Sequence, residues 1–191
     1  MKRLATVLAF AFTIGLSSPA WSLGSFGAKA GTGLSIQILE NDPGGDYEAP
    51  NITPSVFGLS WTMGLLVAEL EVDVLYMRTT ASGGTPSVPK TTSNSLAFPA
   101  IAKVQLPIVP LLVGLQFGAG LELRYNLDDD DEDGIETEKV VTYLPVMIGA
   151  DFDIQLARAT AEIRYEHQLS DSVKGSGDRL HQILFLLGAS L

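Results

Sequence analysis

Through most of the chain, apolar residues alternate one by one with polar or small ones. That period of two belongs to extended strands whose two faces meet different surroundings. In the clearest stretch Leu66, Ala68, Leu70, Val72, Val74 and Tyr76 share one face, and Glu69, Glu71 and Asp73 the other. The pattern recurs over 28–39, 53–61, 96–106, 111–126, 144–154, 159–166 and 183–191, which makes eight expected strands. Their connections alternate too: 40–51, 79–95, 128–138 and 168–178 are long and polar, whereas 62–65, 107–110 and 156–159 are tight. Long and short connections in turn are the mark of an up-and-down barrel with one elaborated rim.

Met1-Lys2-Arg3 is a basic start followed by the apolar run 4–16 and small residues at Ala20 and Ser22. That order predicts a signal peptide over 1–22 and a mature barrel domain over 23–191. No later run is long enough for a membrane helix, since Pro107 and Pro110 interrupt the apolar stretch at 106–115. An exported chain with mean hydropathy of +0.25 and no spanning helix folds as a soluble β protein or closes into a membrane barrel. The 22 acidic against 12 basic residues exclude nucleic acid as a partner. With no cysteine, disulfides, thiolate zinc sites and thiol catalysis are excluded as well.

Alternation alone does not say which face is inside. Three features point to apolar side chains facing outward. The polar faces are rich in glycine and mix charges of both signs, Lys29, Lys103, Arg124 and Arg164 against Glu69, Glu71, Asp73, Glu122, Asp151, Asp153, Glu162 and Glu166. Small residues and opposed charges suit the narrow interior of eight strands, which side chains fill. Tyr76, Tyr125 and Tyr165 lie on the apolar face where strands enter long connections, and Trp61 and Phe152 lie on it near short turns. Rings at both ends are the expected interface belts. Surface lysine is scarce, which suits a soluble protein poorly.

In these features the chain resembles the small outer-membrane β-barrels of the OmpA/OmpX-like group, over essentially all of 23–191. Gly188, Phe185 and Leu187 resemble that group's C-terminal assembly signal, which usually ends in an aromatic residue where this chain has Leu191. The resemblance implies an all-β, eight-stranded antiparallel up-and-down transmembrane barrel. It would be monomeric in the outer membrane of a Gram-negative bacterium, with lipid and lipopolysaccharide around it. The implied role is structural or in surface interaction, with any binding carried by the loops. A soluble periplasmic lipocalin-like carrier and a lipid A-modifying barrel enzyme are the other two readings.

Asp129, Asp131, Asp133 and Gly134 match the opening of an EF-hand loop, in which alternate carboxylates and a glycine turn wrap Ca²⁺. Val140 stands where the closing Glu belongs. A loosely solvated acidic loop is the alternative, and no other cofactor is expected. The inward charges read either as a plug of paired ions or as a cation passage lined by Glu69, Glu71 and Asp73. The narrow bore favours the plug. For catalysis only His167 with Ser170 or Ser172, beside Glu166 or Asp171, offers a His/Ser pair with a carboxylate. The spacing is not the His-x-Ser of the deacylases, and no residue is assigned a catalytic role.

Overall fold

A computed structural model describes residues 24–38, 51–65, 68–82, 91–109, 113–128, 138–154, 157–170 and 179–191. Eight strands follow in order: β1 (Ser25–Ile38), β2 (Asn51–Leu65), β3 (Ala68–Ser82), β4 (Thr91–Val109), β5 (Val113–Asn126), β6 (Val140–Ile154), β7 (Ala157–Gln168) and β8 (Arg179–Ser190). Each pairs antiparallel with the next, and β8 returns to β1, so the sheet is a closed barrel. Closure leaves no edge with unpaired backbone groups.

The strand order is the expected one, but the ends differ. The β3–β4 connection shortens from 79–95 to 83–90, because Arg78, Thr79 and Thr80 pair with Asn94, Ser93 and Thr92. Polar side chains on both faces hide the alternation there, while the backbone ladder runs on through it. The tight connections fall at 66–67, 110–112 and 155–156 rather than a few residues to one side. At the end of β4 the register shifts between Pro107 and Val109, where a proline cannot donate to the ladder.

The outward face carries the large apolar side chains: Phe57, Val74, Leu121, Leu123, Phe117, Ile148 and Leu187 are all exposed, Leu121 to 58%. The inward face carries the charges, with Asp73, Glu122, Arg164 and Glu166 at 0% exposure. The interior is not polar throughout, however. Toward the long connections Val56, Leu75, Met77, Ala97, Leu184 and Leu186, from β2, β3, β4 and β8, make a buried apolar cluster. The polar lumen expected from the alternation is therefore corrected to a mixed one.

Glycines make room inside. A Cβ at Gly188 would stand 3.1 Å from Lys29 Cγ and 2.5 Å from Thr160 Oγ1; one at Gly118 would stand 3.1 Å from Lys103 Cγ. Gly188 is the cross-strand partner of Lys29, and Gly118 of Lys103. Each bare backbone position accommodates the stem of the long cation beside it.

Candidate functional site

Two ionic groups fill the lumen. Nearer the short connections, Lys29, Lys103 and Arg164 interleave with Glu71, Asp73 and Glu162. Lys29 Nζ donates to Glu71 Oε1 at 2.5 Å and to Glu162 Oε2 at 2.9 Å. Lys103 Nζ donates to the other Glu71 oxygen at 2.6 Å. Arg164 donates from Nε to Glu162 Oε1 at 2.6 Å and from Nη2 to Asp73 Oδ2 at 3.0 Å. Charges of both signs thus share partners across the bore, the condition under which buried ions are tolerated. Asp151 accepts from Gln116 Nε2 and, at 3.1 Å, from Gln105 Nε2.

The second group forms around Arg124. Its Nη2 reaches Glu122 Oε1 at 2.5 Å and Glu166 Oε2 at 2.6 Å, and its Nη1 donates to Gln182 Oε1 at 2.7 Å. The guanidinium carbon lies 4.0 Å from the centre of the Tyr143 ring, a cation–π contact. Both groups use one local device: in Glu122-Leu123-Arg124 and Glu162-Ile163-Arg164, residues two apart on a strand share a face and pair there.

Glu69 sits at the short-connection rim, half-buried, and pairs with Arg158 at 3.2 Å. A narrow recess opens there and ends on Lys29, Glu71 and Lys103. Asp153 lies on β6 opposite Arg158 in register, and its side chain lies outside the description. Arg158 and Tyr143 escaped the sequence reading. Arg158 has the parity of Glu162 and Arg164, which was the available signal; Tyr143 is an aromatic on an inward face otherwise defined by charges, and nothing local marks it.

The structure puts Trp61, Tyr76, Tyr125, Phe152 and Tyr165 on the outer face, with Phe152 44% and Tyr165 41% exposed. Tyr76 donates to Asn94 Oδ1 at 2.5 Å, and the Asn94 backbone N–H and side-chain amide both donate to Asp128 at the head of the acidic run. Asp129, Asp131 and Asp133 themselves lie outside the described residues. Among the described residues no group of three or more His, Asp or Glu side chains is placed to hold a metal ion.

Of the residues considered for catalysis, the described ones, His167, Glu166 and Ser170, are not brought together. His167 is on the outer face and Glu166 faces Arg124 in the lumen, as neighbours on one strand must. Ser170 Oγ accepts from the Thr142 backbone N–H at 2.9 Å. Ser172 and Asp171 lie outside the described residues.

No family model and no curated protein matches the sequence. Among solved structures the barrel is similar to neisserial surface protein A (NspA), at 15% identity and a TM-score of 0.57, covering 87% of this chain and 96% of that one. It is also similar to the outer-membrane enzyme PagL, at 13% identity and a TM-score of 0.55, covering 85% of this chain and 97% of that one. Both likenesses are of fold. The chain shares with these two proteins the architecture of a small eight-stranded outer-membrane barrel.

Proposed function

We propose that this chain is an integral barrel of a Gram-negative outer membrane, exported with its leader removed, and that its role is structural or in surface contact through its long connections. One observation carries the reading: large aliphatic and aromatic side chains cover the outside while carboxylates and guanidinium groups fill the inside. In water each such exposed Leu or Phe forgoes about 2 kcal/mol of transfer energy, whereas acyl chains solvate it. The outward tyrosines near the long connections, and Trp61 and Phe152 near the short ones, fit the two interfaces of such a band.

A lipocalin-like carrier needs an apolar cavity for its ligand, and the bore here is occupied by ion pairs and packed Leu and Met side chains. The fold is shared with an outer-membrane enzyme, but nothing in this chain's described residues assembles a nucleophile, base and orienting acid.

The reading is tested by expressing the full chain in a Gram-negative host. Expected are recovery in the outer-membrane fraction and a folded band that migrates faster than the boiled one. A folded protein that stays in buffer without detergent, with Leu70, Leu121 and Ile148 shielded from solvent, would overturn it.

A further inference from the structure

Beside the long-connection rim, on the outer face, three side chains converge that the lumen network does not use. His167 on β7 and His181 on β8 are cross-strand partners, with their Nδ1 atoms 3.2 Å apart and their rings 4.7 Å apart. Tyr165, two residues back on the same face, holds its hydroxyl 2.6 Å from His181 Nδ1. A neutral Nδ1 carries either a proton or a lone pair. With the lone pair on His181, two donors compete for it; with the proton there, one N–H faces two acceptors. Protons alone therefore serve this triangle incompletely. A cation that takes both lone pairs serves both imidazoles, and two nitrogens held at about 2.0–2.1 Å on one tetrahedral ion stand about 3.3 Å apart.

We propose that His167 and His181 bind one divalent late transition ion, of which Zn²⁺ is the representative, through their Nδ1 atoms, with the remaining positions open to water. Imidazole suits ions of this class. Ca²⁺ and Mg²⁺ require oxygen donors, and among the described residues no carboxylate faces the pair: Glu166 turns inward, and the register partners are Leu144 on β6 and Ile36 on β1. Arg179, which opens β8 on the same face, is the nearest charged residue along that strand. Tyr165, released from Nδ1, lies within reach of a water on the ion. Because the ligands stand on paired strands, the sheet fixes their spacing before any ion arrives, so little ordering accompanies binding. The site stands whether or not the barrel resides in a membrane.

The test uses the untagged, metal-stripped full chain, folded in detergent micelles and titrated with Zn²⁺ in a calorimeter. Wild type is expected to bind one ion saturably, and His167→Ala and His181→Ala to bind at least about tenfold more weakly, since even changes behind a ligand cost that much. Cu²⁺ in the same site should show coupling to two imidazole nitrogens in electron paramagnetic resonance, and to one in each variant. Where an alanine variant does not fold by heat-modifiable migration, the asparagine replacement carries the comparison. Absence of saturable Zn²⁺ binding by wild type overturns the site. Equal binding by wild type and variants overturns it too, since the ion then sits elsewhere, the acidic segment 128–138 being the obvious place.

Discussion

Arg164 is fully buried and holds Glu162 and Asp73 at once, whereas Arg158 pairs with Glu69 at a half-open rim. Both are arginine–carboxylate pairs, and their surroundings separate them. Removing one member of a buried network leaves the other charges uncompensated, at about 3–5 kcal/mol, while an exposed pair contributes about 0–1 kcal/mol. Arg164→Met should therefore lower stability by about 3–5 kcal/mol in urea unfolding from lipid vesicles, and Arg158→Met by less than about 1 kcal/mol. Gly188→Val should cost about 1–3 kcal/mol in the same assay, because its side chain would press on Thr160 and the stem of Lys29. At this scale residue parity told which face a charged side chain takes, since Glu162 and Arg164 fix it locally. It did not tell that Leu75, Met77, Leu184 and Leu186 would share the interior. In Leu180–Leu187 both faces are largely apolar, so period two is blurred and the register with β1 and β7 decides.

Strands were legible as elements wherever one face was apolar and the other was not, and illegible where both were polar. β4 shows the difference: its centre, Leu96 to Leu106, alternates cleanly, while Thr91 to Ser95 reads as loop and yet pairs with β3. Cross-strand hydrogen bonds hold that end whatever its composition, and the Asn94 contacts to Tyr76 and Asp128 tie it to the acidic run. The outward face of β5 offers a graded test. Leu121→Arg, in the middle of the apolar face, should destabilise the inserted barrel by about 2–4 kcal/mol, and Leu127→Arg, just past the strand's end, by about 0–1 kcal/mol. Equal costs at the two positions, measured by reversible unfolding from vesicles, would deny that the face has a membrane depth axis.

For the molecule as a whole, the number of strands, the antiparallel order and the alternation of long and short connections followed from the chain's repeating pattern. Chemistry did not. The charges that dominate the bore come from β1, β3, β4, β5 and β7, and it is closure of the sheet that brings the pairs between non-adjacent strands, Lys29 with Glu71, Arg124 with Glu166 and Arg164 with Asp73, within bonding distance. Filled with shared ion pairs and an apolar cluster, the bore is expected to be shut. Purified protein in a planar bilayer should insert without discrete steps of ion current, and steady, cation-selective steps would instead support the passage lined by Glu69, Glu71 and Asp73.

That closure has a seam, where Ala28 meets Ala189 and Ile38 meets Arg179. The two strands there come from opposite ends of the strand order, so every neighbouring pair can zip locally except this one. A chain halted before β8 is accordingly no narrower cylinder. It is a ribbon with two raw margins facing oil, where nothing but another ribbon can satisfy them.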